Sequence, residues 1–268
     1  YKKKEILPEH TLIIFDEIQA CPPALTSLKY FCEDANNYHI IAMGSLLGIS
    51  VHRQNFSFPV GKVSFLNMYP MDFEEFLIAN NEQELVNQIK NCYETNTPLD
   101  RPFHEKALEY YHQYLYVGGM PEIVNQFIST QNSDIARVKQ LEILDSYFND
   151  MGKYNNESEI PKTKLVYKNI SVQLAKENKK FKYEFVKAIE WLNLAGIASQ
   201  LYRLEQIKLP LNAYKSLDDF KFYMNDVGLC CAMQNVLYGD IMYENPYLND
   251  FKGGLTENYV FNQLTVSG

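Results

Sequence analysis

The sequence lacks any apolar run long enough to cross a membrane. A membrane-spanning helix needs roughly 20 consecutive apolar residues, whereas the longest runs here are short pieces such as residues 12–15. The opening residues, Tyr-Lys-Lys-Lys-Glu, are not followed by an apolar stretch and do not resemble a secretory signal. The sequence therefore predicts no membrane partner.

Cysteine is also scarce and irregularly spaced. The chain has five cysteines, no Cys-x-x-Cys pair, and two adjacent cysteines at positions 230 and 231. This spacing is a poor start for a disulfide framework. A reduced, cytoplasmic localisation is the expectation.

Positive charge is in short supply over the chain as a whole. The formal net charge is −8, and an acidic chain is not a general nucleic-acid binder, because phosphate neutralisation needs clustered lysine and arginine. One segment departs from this average: eight lysines fall between Lys162 and Lys187, opposed only by Glu177 and Glu184. A solvated surface and a DNA-binding surface are both open interpretations of this segment.

What the chain does have is an ordinary globular composition. It contains 268 residues, of which 46% are hydrophobic and 22% are charged. That is enough apolar material for two domains, or for three small ones. The chain opens in a linker-like segment at residues 6–10 and stops directly after an amphipathic segment. We therefore expect the sequence to be an interior fragment of a longer protein.

The first 45 residues or so carry the pattern of a βαβ unit. Residues 11–15 form a continuous apolar run, which is typical of a strand in the middle of a parallel sheet with helices over both faces. Cys21-Pro22-Pro23 opens a helix, since proline is tolerated in a first helical turn. Residues 39–43 form a second buried strand. Strand, helix and strand in this order predict a right-handed parallel crossover.

The rest of the chain reads mainly as helices. Residues 82 to about 150 predict several helices, which are interrupted at 98–102 and at the Gly-Gly-Met-Pro of 118–121. Short helices follow from 160, and then come strands at 197–202 and 220–224 and a helix start at 254–264.

Two acidic residues follow the first strand directly. Asp16 and Glu17 would lie at the carboxyl edge of a parallel sheet, which is where such sheets bind ligands. Two consecutive acids of this kind can play different roles in phosphoryl transfer. One can hold Mg²⁺ through water, and the other can polarise the attacking water. The alternative is a strand that ends in an ordinary polar turn.

The second strand ends in a small polar pair, Gly44-Ser45. A hydroxyl at this point lies one strand away from Asp16 and Glu17, at the same sheet edge. Many ATPases built on such a sheet place there a small polar side chain that contacts the γ-phosphate or the attacking water. Taken alone, Gly-Ser is an ordinary turn. Two successive strands that both end in this way favour a nucleotide site.

Several segments together resemble a large bacterial and archaeal family of AAA-like P-loop ATPases with a C-terminal restriction-endonuclease-like domain of uncharacterised role. The segments occur in the family's order along nearly the whole chain. They are Leu-Ile-Ile-Phe-Asp-Glu-Ile-Gln (12–19), Ala-Met-Gly-Ser-Leu-Leu-Gly (42–48), Phe-Pro-Val-Gly-Lys-Val (58–63), Tyr-Pro-Met-Asp-Phe-Glu-Glu-Phe-Leu (69–77), Val-Gly-Gly-Met-Pro-Glu (117–122), Phe-Lys-Tyr (181–183), Phe-Tyr-Met-Asn-Asp-Val-Gly-Leu (222–229) and Gly-Gly-Leu-Thr-Glu-Asn-Tyr-Val (253–260).

The resemblance implies an α/β fold that begins with a partial P-loop sheet. Its implied divisions are the C-terminal half of the ATPase core in 1–78, a helical lid in 79–155, a winged-helix-like segment in 156–208 and the start of a nuclease-like domain in 209–268. Relatives carry a longer basic helix after the segment that matches Phe185-Val186-Lys187, so the join here is short for a winged helix, which needs three helices.

The resemblance also implies roles for individual residues. Asp16 and Glu17 match the Walker B pair, with Asp16 on Mg²⁺ and Glu17 on the attacking water, and Ser45 matches the sensor. Lys62 falls where relatives carry arginine, and a lysine keeps the charge but loses the bidentate fork. Arg53 is an alternative cation near the nucleotide, and a plain surface charge is the alternative for both.

One element of the family is absent from the 268 residues. No Gly-x-x-x-x-Gly-Lys-Ser/Thr loop is present, and its backbone N–H groups and lysine are what cradle the β- and γ-phosphates. We therefore expect ATP and Mg²⁺ to be ligands of the full-length protein only, and these residues alone to be inactive.

Glu257 is a second candidate metal ligand, by resemblance alone. It matches the helix that opens nuclease-like domains, where a glutamate helps to hold a metal ion. Such a site also needs a later aspartate and a Glu-x-Lys, which the 268 residues do not include. The competing interpretation is that Thr256 and Glu257 only shape a helix start.

The leading functional hypothesis is an ATPase that couples its nucleotide state to a winged-helix and C-terminal module in the full-length protein. ATPases of this shape act as oligomers or as switches, and a homo-oligomer is among the expected partners. The rival is a scaffold that is independent of nucleotide and associates with DNA, through the Lys162–Lys187 segment, or with proteins.

Overall fold

The described part of the chain falls into two compact units. In this computed structural model, the described residues are 5–44, 61–153, 155, 157–174, 185–243 and 245–267. The N-terminal unit comprises residues 1–68 with 193–196, and the C-terminal unit comprises 69–192 with 197–268. The finer divisions expected near residues 155 and 208 stay predictions.

The N-terminal unit contains the predicted βαβ crossover. Strand β1 (Leu12–Phe15) is followed by a short 3₁₀ turn (Ile18–Ala20), helix α1 (Pro22–Asp34) and strand β2 (His39–Ala42). The two strands are parallel, with Leu12 opposite His39 and Phe15 opposite Ala42. Helix α1 begins at the predicted prolines, whose fixed backbone angle suits a first turn. The α/β prediction is therefore confirmed for this small parallel sheet.

Only one face of this sheet is covered within the described residues. Ile18, Leu25 and Leu28 form a buried cluster beneath α1, against which Phe15 and Ile40 pack. On the other face Leu12 and Ile14 are 50% and 53% exposed. The expectation of helices over both faces is therefore wrong for the described residues, because one helix on a two-stranded sheet can cover a single face.

The C-terminal unit is mostly helical, as the sequence predicts. Its elements are α2 (Phe73–Ala79), α3 (Gln83–Thr95), α4 (Arg101–Val117), α5 (Pro121–Thr130), α6 (Ser133–Lys153), α7 (Ile160–Leu174), α8 (Val186–Leu194), β3 (Ala198–Leu204), β4 (Lys215–Met224), α9 (Val227–Met233), α10 (Tyr238–Met242) and α11 (Asn249–Ser267). Among the described helices, none combines the length and the apolar character that a membrane span requires.

The predicted helix boundaries follow from local chemistry. Helix α2 starts at a capping box, in which the Asp72 side chain accepts from the Glu75 N–H and the Glu75 side chain accepts from the Asp72 N–H. The break at 118–121 separates α4 from α5, because Gly118 takes a positive φ of 77° that other residues rarely adopt.

Strands β3 and β4 form an antiparallel hairpin after two helices. Ala198 pairs with Met224 and Tyr202 with Phe220. Both strands were predicted from the sequence, although β4 begins earlier, at Lys215. Residues 175–184 between the two helices lie outside the described residues.

A buried carboxylate joins three of the sequence segments quoted above. Asp226 caps α9 by accepting from the Leu229 N–H at 2.7 Å, and it also accepts from the Gly119 N–H at 2.7 Å. A Cβ at Gly118 would lie 2.3 Å from an Asp226 oxygen, so glycine is required there. The Met71 N–H in turn donates to the Gly119 carbonyl. Residues 69–77, 117–122 and 222–229 therefore meet at one point.

Candidate functional site

The ends of β1 and β2 meet at one edge of the parallel sheet. Asp16 and Glu17 follow β1, and Gly44 follows β2 by two residues. The Met43 N–H donates to the Phe15 carbonyl at 2.8 Å, and the Ile18 N–H donates to the Met43 carbonyl at 3.1 Å. These two bonds extend the pairing of the strands past their ends. The predicted meeting of the two strand ends is therefore confirmed for the described residues.

The two consecutive acids are exposed, and the backbone turns sharply between them. Asp16 Oδ1 accepts from the Glu17 N–H at 3.0 Å. Glu17 adopts φ 48° and ψ 44°, the left-handed conformation that is uncommon for a side chain of this kind. Such backbone strain is found preferentially at functional sites. Ile18, only 2% exposed, anchors the turn in the core beneath α1.

Gln19 connects the two strand ends, and sequence reasoning did not single it out. Its Nε2 donates to Glu17 Oε2. Its Oε1 is buried and finds no hydrogen-bond partner in the part of the chain that the structure describes. A Cβ placed on Gly44 would lie 2.0 Å from that Oε1. The only sequence signal was the position of Gln19 at the end of the quoted 12–19 segment.

The donor set at this edge fits a magnesium ion that brings its own further ligands. Two exposed carboxylates adjoin each other at Asp16 and Glu17. No cluster of three or more His, Cys, Asp or Glu side chains suited to a metal occurs among the described residues. Mg²⁺ characteristically binds one or two carboxylates and completes its octahedron with waters and phosphate oxygens. A full protein cage is therefore not required.

The remaining nucleotide-site candidates are only partly described. Ser45 and Arg53 lie outside the described residues. Lys62 is described, and its Nζ lies 3.1 Å from Glu33 Oε1 on α1. The hydrogen bond to Glu33 raises the pKa of Lys62, so its ammonium remains charged and paired. A nucleotide role for Lys62 stays a prediction.

A groove runs along the face of the sheet that α1 covers. Its volume is about 440 Å³, and its lining includes the apolar side chains of Leu28, Ile40 and Phe65 together with Lys62. Sequence reasoning did not anticipate it, because its walls come from separate elements of the N-terminal unit.

Glu257 lies far along the chain in α11 and is paired with a lysine. Both of its carboxylate oxygens accept from Lys221 Nζ at 2.9 Å. One of them also accepts from the Tyr223 hydroxyl at 3.3 Å. These contacts tie α11 to β4. The metal-binding role of Glu257 stays a prediction.

The lysine-rich segment is described in part. On α7, Lys164 and Lys168 place their ammonium groups 4.1 and 4.9 Å from the centre of the Phe148 ring. Lys162 forms an ion pair with Glu159 at 3.5 Å. Four lysines of the segment lie outside the described residues, namely 176, 179, 180 and 182. DNA contact through this segment stays a prediction.

Comparisons with known families match two separate parts of the chain. Residues 1–77 match a family model described as an AAA domain. Residues 108–238 match a model described as a domain of unknown function (DUF8612). No curated protein and no solved structure matches the chain.

The first match supports an AAA-type ATPase domain in residues 1–77. This is the part of the chain whose strand ends carry Asp16, Glu17 and Gly44. ATP and Mg²⁺ are the ligands that AAA domains use in general. The second match assigns no activity to the helical part of the chain.

Proposed function

We propose that residues 1–77 form the Walker B half of an ATP-hydrolysing site in the full-length protein. The observation that supports this most directly is the meeting of Asp16, Glu17 and Gly44 at the carboxyl edge of a parallel sheet. Ligands of open α/β sheets bind at that edge. The AAA-domain match covers these residues.

In the proposed mechanism the two acids divide the work. Bound ATP supplies the phosphoanhydride bond that is cleaved. Asp16 would hold the magnesium ion, and Glu17 would orient and polarise the water that attacks the γ-phosphate. Ser45 contacts the γ-phosphate or that water, and Arg53 or Lys62 adds positive charge beside the phosphates. Because little covalent chemistry is required of the protein, positioning and charge account for most of the catalysis.

The proposal extends to how ATP turnover is used. Helices in residues 79–155 would serve as the lid, and closure over the nucleotide would move the winged-helix-like segment (156–208) and the C-terminal residues (209–268). The winged-helix assignment draws on helices α7 and α8 and the β3–β4 hairpin, whereas a complete winged helix needs three helices. The nuclease-like assignment of the last segment depends on resemblance alone.

Replacing Asp16 with Asn should weaken magnesium-dependent nucleotide binding by at least about 10-fold, because the metal loses its carboxylate partner. The measurement is a titration of the full-length protein with a fluorescent ATP analogue, with Mg²⁺ and with EDTA. Asp250→Asn changes an exposed aspartate in the first turn of α11 and is the matched control. Equal affinity with and without Mg²⁺ in the wild type would count against the metal role.

A second candidate is a scaffold independent of nucleotide, and the end of the β3–β4 hairpin favours it. Ile207 and Leu209 are 90% and 87% exposed there. Residues 201–219 contain three basic and three acidic side chains, so the hairpin has no excess positive charge to attract phosphate. An apolar surface without net charge suits the same surface on a second copy of the chain, because no charge repulsion opposes the pairing.

Under this candidate, the double variant Ile207→Ser, Leu209→Ser should shift the full-length protein from dimer towards monomer, with or without ATP. Sedimentation velocity across a range of protein concentrations measures this shift. Tyr247→Ser removes a side chain that is 99% exposed elsewhere and serves as the control. A wild-type monomer at all concentrations excludes the dimer. A DNA affinity that depends on salt concentration but not on ATP would favour a DNA-associated scaffold instead.

A further inference from the structure

Gln19 occupies the space between the two strand ends of the proposed ATP site. The left-handed backbone at Glu17 turns the chain back across the end of β1. The Ile18 N–H then fixes the turn on the Met43 carbonyl at 3.1 Å. These two features bring the next side chain, Gln19, over Gly44, whose missing Cβ leaves the room that the carboxamide takes.

The two ends of this carboxamide are in different situations. Gln19 Nε2 donates to Glu17 Oε2, whereas Gln19 Oε1 is buried and has no hydrogen-bond partner among the described residues. Leaving a buried acceptor unpaired is unfavourable. The position of the carboxamide therefore depends on its two other contacts, which are the hydrogen bond to Glu17 and the packing over Gly44.

We infer that Gln19 is a positioning residue for Glu17. This inference rests on the proposed ATPase function and assigns a role to a residue that the Walker B pattern does not include. By donating to Glu17 Oε2, Gln19 fixes the rotation of that carboxylate and leaves Glu17 Oε1 to accept from the attacking water. A methyl group on Gly44 would push the flexible Gln19 carboxamide away from Glu17, so the glycine preserves this contact.

Fixing one oxygen matters because an exposed glutamate otherwise samples several rotamers. Reaction needs the water and the carboxylate in one geometry, and small displacements of reacting groups reduce rates steeply. Nucleotide binding, in contrast, depends on the phosphate and metal contacts. The loss of Gln19 should therefore lower kcat and leave KM for ATP nearly unchanged.

The kinetic test uses three variants of the full-length protein. Gln19→Met keeps the length and volume of the side chain and removes the donor, so kcat should fall about 10- to 100-fold while the melting temperature stays within about 2 °C. Gln19→Glu places a second carboxylate beside Glu17 and should lower kcat at least as much. Gly44→Ala should give the same loss by displacing Gln19.

A second measurement does not depend on activity. In ¹⁵N-labelled protein without nucleotide, the Gln19 side-chain NH₂ signals are assigned by their absence in Gln19→Met. In Glu17→Ala the same signals should move upfield, because the hydrogen-bonded proton loses its acceptor. Unmoved signals would show that the two side chains do not interact in solution.

The outcomes separate this inference from the proposed function. If the wild type hydrolyses ATP and Gln19→Met retains its kcat, the positioning role is overturned and the ATPase proposal stands. If the wild type hydrolyses no ATP, both are overturned. A fall in kcat with unchanged KM, together with the upfield shift, is the expected result.

Discussion

Replacing Glu17 with Gln is expected to abolish ATP turnover by the full-length protein while sparing nucleotide binding. Glu17 is exposed at the edge where β1 and β2 end, beside Asp16. An amide keeps the size of the side chain but cannot take up a proton or polarise water as a carboxylate does. General-base groups of this kind contribute about 10²- to 10⁴-fold to rates, so turnover should fall by at least about 100-fold.

The measurement is steady-state phosphate release, paired with the affinity for a fluorescent ATP analogue. Glu105→Gln is the matched control, because Glu105 forms only an exposed ion pair with Arg101 on the surface of α4. Turnover by that variant should equal that of the wild type. Unchanged hydrolysis in Glu17→Gln would remove Glu17 from the mechanism. Loss of nucleotide binding in the same variant would point to a structural defect.

Replacing Asp226 with Ala is expected to destabilise the C-terminal unit strongly. The buried carboxylate accepts from the backbone N–H groups of Gly119 and Leu229, and those of Gly228 and Met120 also favour its charged form. Each buried donor left without an acceptor costs about 1–3 kcal/mol. Removing a buried charge offsets part of this cost. We therefore expect the free energy of unfolding at pH 7 to fall by about 3 kcal/mol.

Urea denaturation followed by far-ultraviolet circular dichroism measures this change. Asp219→Ala is the matched control, since Asp219 pairs with Arg203 on the surface of the hairpin. Exposed ion pairs contribute about 0–1 kcal/mol. Equal stability of the Asp226 and Asp219 variants would show that the carboxylate does not hold the segments together.

The stability that Asp226 contributes should decrease as pH rises. Burial raises the pKa of Asp226 to about 6 from the ordinary value of 3.8, against the opposing effect of the backbone N–H groups. Between these values the folded chain binds this proton and the unfolded chain releases it, so the stability due to Asp226 falls as pH rises from about 4 to about 6. The stability difference between wild type and Asp226→Ala should therefore narrow over that range. A difference that widens would mean that the pKa is lowered instead.

The sequence predicts the structure of the two units to different extents. In the N-terminal unit the strand, helix and strand were all predicted, because an apolar run, a proline-led helix start and a second apolar run are local signals. The residues that pack on each face of the sheet were not predictable in the same way. An apolar run shows that burial is favourable, but it does not say which residues bury it. The described residues pack on one face only.

In the C-terminal unit the sequence marks individual segments but does not show that they contact each other. The Gly-Gly-Met-Pro at 118–121 predicts a helix break, and residues 222–229 resemble a segment of the ATPase family. The structure shows that Asp226 hydrogen-bonds to Gly119 across 107 positions of the chain. No local pattern carries that information, because the contact depends on how α4, α5 and α9 pack together.

The sequence by itself determined the order of helices and strands and the presence of two acids after a strand. Those features depend on hydrophobic periodicity, caps and turn residues, which act over a few neighbouring positions. Only the tertiary structure decided that Gln19 lies against both Glu17 and Gly44, and that Lys221 pairs with Glu257. Such contacts arise from side chains that the folded backbone brings together, and their chemistry depends on distance in space.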